Sequence, residues 1–483
     1  MVSIKIAEVL KSFTKEEIHD FEKFMKSSYF SNGRNYFPLF NIVKKFHPDF
    51  NNPDFNKQYI YKKLYPSKKY NDQVVRNLFS GLMKICEKYL VYKSITGNKL
   101  EYHGILAEEY KNRMLYKESE KNISNSIKLI KGSGIDKEYF KNYYEMLQIK
   151  REIAQSTNDT KQTIENLSRE SLNFFYYTLL EVSRHIEEMA VFNHNLNTNF
   201  EDHITFRIFE YLDLDKIRCF LAENKYDYFE IAELFIIHIK LLLDYGNEQL
   251  FEKFRNVLAK NMNKLSRWGR YNMYLCLENT CVRLEAVNET KYRQILFKIY
   301  MEQLDLNIYN SEENGKMAAD MFRNIVINAL KLEEYTWAEH FIEKYIDTLH
   351  PDYRDNMYNF CFALLNFEKG NFELSLNDIS KVKFDTFVFK FDVRILTLMI
   401  YYELDYLEAA ISMIDSFKHF IIETPSISDY IREIHLNFIK YLHEIIKLHT
   451  KNKSSETGIL LKEIEKSRVR NKKWLLKTAV KSR

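Results

Sequence analysis

The fold is decided by KLEEYTWAEHFIEKY (331–345), FEKGNFELSLNDIS (367–380) and ELDYLEAAISMIDS (403–416). Each stretch has an aromatic residue, a small residue three positions later and an apolar residue four positions beyond that. The copies are Tyr335–Ala338–Ile342, Phe372–Ser375–Ile379, Tyr406–Ala409–Met413 and, more loosely, Tyr116–Ser119–Ile123. Since residues three and four apart share one side of a helix, the pattern predicts paired helices that cross closely at the small residue.

The spacing of these copies indicates a repeat array. The aromatics Tyr335, Phe372 and Tyr406 are 37 and 34 residues apart, which is close to the tetratricopeptide period. We expect the aromatic to open the second helix of each pair and Gly370 to occupy the turn before it. Glu333 and Leu404 are expected to replace that glycine in the flanking copies. Repeat frames between residues 140 and 310 stay unassigned.

Residues that break helices are scarce. No proline occurs between Pro66 and Pro351, and the 483 residues include 11 glycines. Sheet proteins and loop-built active sites need many Gly and Pro turns, whereas stacked helices need few. We therefore predict an all-α protein. An N-terminal helical domain (1–95) precedes an α-solenoid of helical hairpins (96–450) and a basic segment with a terminal helix (451–483).

Longer stretches resemble an uncharacterised family of tetratricopeptide-like helical-repeat proteins of Bacteroidota and related bacteria. Within residues 322–421 they are FRNIVINALKLEEYTWAEHFIEKY, MYNFCFALLNFEKGNFELSLNDISKVKF and YYELDYLEAAISMIDSFKHF. Nearer the N-terminus they are DFEKFMKSSYFSN, YIYKKLYP and KYNDQVVRNLFSGLMKICEKYL, and Trp474-Leu475-Leu476 is similar to that family's terminal helix. The resemblance implies the fold and a bacterial cytosolic setting, and it implies no activity.

Motifs for catalysis or cofactor binding are missing from the sequence. No GxxxxGK[ST] or GxSxG occurs, and the glycines of 131–134 complete neither nucleotide fingerprint. The helix at His443-Glu444 has Lys447 where a zinc protease needs its second histidine. Five cysteines without a CxxC fit a reduced compartment. We expect the protein to have no enzymatic activity, to bind no cofactor or metal, not to insert into a membrane and to be located in the cytoplasm.

The favoured functional hypothesis is binding of another protein in the concave groove of the solenoid. In a tetratricopeptide unit the first helix of each pair lines that groove. Twelve residues before Tyr335 and Tyr406 lie Arg323 and Arg394, which this frame makes equivalent. Arginine can pair with a carboxylate, and asparagine can hold a peptide backbone. The candidate groove residues are Arg323, Asn324, Asn328, Phe360 and Arg394.

The alternative hypothesis is a regulator that binds nucleic acid. Residues 57–88 have the form of a helix-turn-helix with a long basic turn. Residues 451–483 carry eleven Lys and Arg against three Glu, although a capping helix with a solvated polar face is the favoured interpretation of this segment. The candidate contacts to nucleic acid are Lys68, Lys69, Arg76, Arg468, Arg470, Lys472 and Lys473.

Overall fold

The chain is helical throughout the residues that a computed structural model describes, which are 5–27, 34–244, 246–312, 315–383, 387–451 and 457–481. Helix makes up 79% of the structure, no β-strand occurs in these ranges, and the predicted all-α fold is confirmed. The helices are α1 (Lys5–Lys11), α2 (Lys15–Lys26), α3 (Phe37–Val43), α4 (Lys57–Leu64), α5 (Asp72–Gly97), α6 (Lys99–Asn112), α7 (Tyr116–Gly132), α8 (Lys137–Ser156), α9 (Thr160–Asn195), α10 (Ile204–Tyr211), α11 (Leu214–Glu223), α12 (Phe229–Leu243), α13 (Glu248–Asn261), α14 (Arg267–Leu284), α15 (Glu289–Asp305), α16 (Ala319–Lys331), α17 (Tyr335–Tyr345), α18 (Pro351–Glu368), α19 (Phe372–Ile379), α20 (Phe387–Glu403), α21 (Leu407–Ile422), α22 (Asp429–Lys451), α23 (Thr457–Lys466) and α24 (Lys472–Lys481).

Two compact units share these helices. The first comprises residues 1–130 and 146–166, and the second comprises 131–145 and 167–483. The boundary that the sequence suggests at residue 95 therefore falls inside the first unit, near the end of α5. Along the described parts of both units, no helix has the length and apolar character needed to cross a membrane.

The first unit contains a small bundle, formed by α1 to α5. Its second helix starts with a capping box, in which Thr14 accepts a hydrogen bond from the backbone of Glu17 and Glu17 accepts one from the backbone of Thr14. Phe21, Phe40 and Tyr89 meet in its core, where the Phe21 ring lies 5.1 Å from Phe40 and 5.2 Å from Tyr89. The long helix α5 thus buries one side in the bundle.

The turns between helices explain why glycine is scarce. Among the described residues, seven helix ends place one residue in the left-handed region. The N–H of the next residue then donates to the carbonyl five positions earlier, as in a Schellman motif. These left-handed residues are Met114, Asn158, Lys225, Asn307, Glu333, Gly370 and Asp405. Glycine is the usual residue at this position, but here it serves in one turn of the seven. The chain therefore makes most of these tight turns with residues other than glycine, which the sequence pattern alone does not identify as turn residues.

The same turns correct the predicted repeat frame. Glu333, Gly370 and Asp405 are 37 and 35 residues apart, so the third copy begins one residue later than expected. Its second helix opens at Leu407, with the small position at Ala410, which is fully buried, whereas Ala409 is exposed. The prediction of burial is confirmed for Ala338 and wrong for Ala409.

Small residues do permit close helix crossings within the pairs. The Ser375 hydroxyl donates to the carbonyl of Ala363 at 2.6 Å, and Ser119 makes the same bond to Ala107 at 2.7 Å. In both pairs the acceptor lies twelve residues before the serine. A larger side chain at the small position would hold the two helices apart.

The second unit contains an array of helix pairs, and the structure assigns frames to residues 229–305, which are part of the stretch that the sequence leaves open. The pairs are α12–α13, α14–α15, α16–α17, α18–α19 and α20–α21, followed by α22. We use the name first-helix face for the side of α14, α16, α18 and α20 that turns away from their partner helices. On α20, for example, Phe391 and Arg394 face α21, whereas Asp392 and Glu403 lie on the first-helix face.

Candidate functional site: the first-helix face and the helices that cover it

The C-terminal helix α24 returns onto the first-helix face and is anchored there by Trp474. The indole N–H donates to Glu403 Oε1 at 2.9 Å, and the ring lies 5.8 Å from Tyr402 and 6.2 Å from Phe438. An indole suits a site with an apolar floor and a single acceptor at its rim. The end of α20 and the middle of α22 thus form a receptacle for an aromatic side chain.

Cations around Trp474 pair with carboxylates on helices far away in the sequence. Arg470 lies 3.4 Å from Asp392, and Lys481 lies 3.4 Å from Glu403. Lys473 is 3.8 Å from Glu289, at the start of α15. These cationic side chains are between about one third and four fifths exposed, so each pair contributes little to stability. Their effect is to match an acidic surface with a basic helix.

The carboxylate of Asp392 contacts one residue from the candidate groove residues and one from the candidate nucleic-acid contacts. Its Oδ2 accepts from Arg323 at 2.7 Å, and its Oδ1 faces Arg470 of the tail. Arg323 also lies over the Phe389 ring and donates to its neighbour Asn324 at 2.8 Å. Arg323 is therefore already paired inside the chain, and its side chain is 12% exposed.

The other candidate groove residues do not join this site. Asn328 and Phe360 are buried, and Asn328 donates to the carbonyl of Arg293. Arg394 lies on the opposite side of α20, where it donates to Ser416 and lies over the Phe420 ring. The equivalence of Arg323 and Arg394 is wrong, because the shift of the third copy makes Ile395 the true counterpart.

The basic candidates for nucleic-acid contact are largely engaged within the chain. In the tail, Lys472 donates to the carbonyl of Glu465, beside the pairs of Arg470 and Lys473, while Arg468 is exposed. In the first unit, Arg76 lies 2.5 Å from Asp72. The turn residues Lys68 and Lys69 are exposed, and the ammonium of Lys68 lies over the Tyr65 ring.

A second helix, α9, packs on α12 and α14 through buried polar groups. His238 of α12 bonds Ser183 Oγ at 2.7 Å and Glu187 Oε2 at 2.9 Å, and Asn279 of α14 donates to Glu187 Oε1 at 2.8 Å. Since an ionised carboxylate only accepts, Nε2 of His238 donates to Glu187, and Nδ1 pairs with the Ser183 hydroxyl. The α9 network, as we call these four residues, satisfies both ring nitrogens and both carboxylate oxygens.

Electrostatics favour an ionised Glu187 in this buried setting. Burial by itself would raise the pKa of Glu187, but the hydrogen bonds from His238 and Asn279 and the positive charge of Arg283 outweigh it, so the pKa is lowered. Burial raises the pKa of the neighbouring Cys276 thiol well above its usual range. The network is thus a charged polar group inside the array with a neutral thiol beside it.

The α9 network contains the residue types of two kinds of active site, but its geometry supports neither. Ser183, His238 and Glu187 are the members of a hydrolase triad, yet Ser183 is fully buried and His238 is 1% exposed, so no substrate reaches the hydroxyl. Donor atoms of Glu187, His238 and Cys276 lie within 4.8 Å of one another, as a metal site requires. An ion there would have to displace hydrogen bonds that are already complete. The network acts as a structural junction.

Sequence reasoning missed Asp392 and Glu403, the acidic partners of the tail. The corrected frame supplies a signal for Glu403, because an ionisable residue precedes the left-handed residue by two positions in three successive repeats, at Lys331, Glu368 and Glu403. These positions end the first helices, beside the tail. No comparable signal marks Asp392, whose two partners lie 69 and 78 residues away.

Comparisons with known proteins add no assignment, since no family model, no curated protein and no solved structure matches this chain.

Proposed function

We propose that this chain is a non-enzymatic helical-repeat scaffold that binds another protein on its first-helix face. The observation that carries the proposal is the seating of α24, with an aromatic anchor at Tyr402 and Phe438 and a rim of carboxylates around it. Recognition of helices in grooves uses this combination of an apolar anchor and matching charge. The receptacle is assembled from several repeats, which is how solenoids build binding surfaces.

The rival hypothesis of nucleic-acid binding has less support. Three cations of the tail, Arg470, Lys473 and Lys481, face carboxylates of the chain itself. Phosphate contacts need cations that are free to replace counterions. A first-helix face rimmed with carboxylates repels phosphate. We therefore treat recovery of nucleic acid as an outcome that would contradict the proposal.

The test is affinity capture by the immobilised full chain from an extract of its source cells, with and without nuclease. A Glu368→Lys/Glu403→Lys variant reverses the charge of the face. A Glu120→Lys/Glu165→Lys variant makes the same net change at exposed positions of the first unit. We expect a protein that survives nuclease treatment, is kept by the control variant and is lost from the face variant. Retention by the face variant, or recovery of nucleic acid alone, would refute the proposal.

A further inference from the structure

We infer that α24 occupies the place of the partner, and that the partner binds through a cationic amphipathic helix with an aromatic anchor. The inference rests on the proposed function and names the chemistry of the ligand. It also implies that the chain restrains its own binding, since α24 must leave the first-helix face before a second helix can enter.

The contacts of α24 specify what such a ligand must carry. An aromatic residue with an N–H or O–H donor fits the receptacle of Trp474, where Glu403 is the acceptor. One cation four residues before the aromatic reaches Asp392, and another seven residues after it reaches Glu403, as Arg470 and Lys481 do. The offset of plus seven places Trp474 and Lys481 on one side of α24. Arg470 lies before the helix, and the chain turns between them at the left-handed residue Asn471.

Charge decides between the classes of ligand. Asp392 contacts Arg470 just before α24, Glu403 and Glu289 contact α24 itself, and Glu368 lies close enough to act on Lys477. Asp392 and Glu289 also pair with Arg323 and Arg293 of the array, whereas the partners of Glu403 both belong to α24. Nucleic acids and anionic lipid surfaces would meet these carboxylates with like charge, whereas a basic peptide segment would pair with them. The ligand is therefore a protein segment that is basic and amphipathic.

The attachment of α24 is suited to displacement. The helix has ten residues, and a helix of that length is marginal in water without packing partners. The cations of its ion pairs lie at the surface, while the side chains of Asp392 and Glu403 are 13% and 12% exposed. The anchor Trp474 is partly exposed. The buried residues of α24 are Leu475, Thr478 and Ala479, and the helices in most extensive contact with α24 are α23 and α22. A ligand that offers a similar helix replaces the same kinds of contact.

Tethering makes α24 an effective competitor. A segment joined by a short linker acts at an effective concentration of about 1 mM. A free helix with the same contacts therefore binds the intact chain only at concentrations of about that size, and weakening α24 makes the face available. The expected signature is a substitution in α24 that increases the affinity for an added helix.

The test uses a labelled synthetic peptide of residues 468–481, RVRNKKWLLKTAVK, and fluorescence polarisation with the full chain. The proteins are the wild type, Trp474→Ala, and Trp474→Ala combined with Glu403→Lys. We expect Trp474→Ala to bind the peptide at least tenfold more tightly than the wild type, and the added Glu403→Lys to reverse that gain. A peptide with alanine in place of its tryptophan should not bind. The surface variant Arg470→Glu/Lys481→Glu weakens α24 by a second route and should also increase binding.

The outcomes separate this inference from the proposed function. Equal binding by the wild type and both weakened variants would overturn the inference, as would a gain that Glu403→Lys leaves intact. A concentration-dependent dimer of Trp474→Ala in light scattering would also overturn it, because a second copy would then be the occupant. If the peptide binds as expected but immobilised Trp474→Ala, whose face is available, captures no extract protein that Trp474→Ala combined with Glu403→Lys loses, the proposed function fails and the inference about ligand chemistry stands.

Discussion

The two helices that cover the first helices of the array, α9 and α24, are attached in opposite ways. The α9 network is buried, and every polar atom of His238 and Glu187 has a partner. The attachment of α24 consists of packing against α22 and α23, one aromatic anchor, and ion pairs whose cations lie at the surface. Buried charge that is fully paired is costly to break, whereas exposed pairs are exchanged for water at little cost. The comparison indicates that α9 belongs permanently to the array and that α24 is a removable cover.

The largest expected effect tests the α9 attachment. His238→Ala leaves the Glu187 carboxylate buried without its partner, and we expect the free energy of unfolding to fall by about 3–5 kcal/mol. In α24, Lys481→Ala breaks an exposed pair and should cost under about 1 kcal/mol. Urea unfolding followed by circular dichroism measures both. His185→Ala, at an exposed position of α9, is the control. Similar losses of stability for His238→Ala and Lys481→Ala would contradict the proposed difference between the attachments of α9 and α24.

A second prediction uses Glu278, the buried carboxylate of α14 on the side that faces α15. Burial raises the pKa of Glu278 from 4.5 to about 8. The folded chain keeps this proton where the unfolded chain loses it, so stability falls as pH rises from about 4.5 to about 8. The loss at pH 7 is about 3 kcal/mol. Glu278→Gln should recover much of it at pH 7 and little at pH 4.

Glu187 should behave in the opposite way, since its pKa is lowered in the folded chain. Its contribution is present above the unfolded pKa and is lost as pH falls through the folded value. Wild type should be more stable than Glu187→Gln at neutral pH, and this advantage should shrink on acidification. Glu278→Gln should be more stable than wild type at neutral pH, and that advantage should also shrink on acidification. Denaturant midpoints from pH 2 to pH 8 provide the measurement, because the contribution of Glu187 begins to fall only below the ordinary carboxyl pKa of 4.5. Parallel curves for the two variants would contradict the assignment of charge to the α9 network.

Structural features that depend on local periodicity can be predicted from this sequence. Contacts between residues that are far apart in the chain cannot. Ala338 and Ser375 were placed correctly, because a small residue at a fixed offset from an aromatic is a local signal. Ala409 was one residue off, since Asp405 forms the left-handed turn without a glycine to mark it. The pairing of Glu403 with Trp474 spans 71 residues. Such contacts depend on how several repeats stack, and no single repeat encodes that geometry.

A fourth prediction tests the layer that supports α24. Ala410 is fully buried between α20 and α21, and Ala409 beside it is exposed. Ala410→Leu should overpack the crossing and cost about 1–3 kcal/mol, whereas Ala409→Leu should stay within about 0.5 kcal/mol. Thermal unfolding of the two variants decides the frame. A larger loss for Ala409→Leu would restore the original frame and remove Glu403 from its assigned position.

The smallest expected effects concern the turns that end α16 and α18, beneath the region that α24 covers. Glu333 and Gly370 occupy equivalent left-handed positions, with φ of 62° and 81°. A residue with a Cβ pays roughly 1–2 kcal/mol in that region, and the greater flexibility of unfolded glycine offsets part of the difference. Glu333→Gly should therefore stabilise the chain by about 0.5–1 kcal/mol. Gly370→Ala should destabilise it by a similar amount, because no atom lies within 4 Å of the added Cβ and only the backbone strain remains. Chemical unfolding of the two variants checks both signs. Changes in the same direction would mean that the two turns are not equivalent, and the repeat frame that positions Glu368 and Glu403 under α24 would lose its basis.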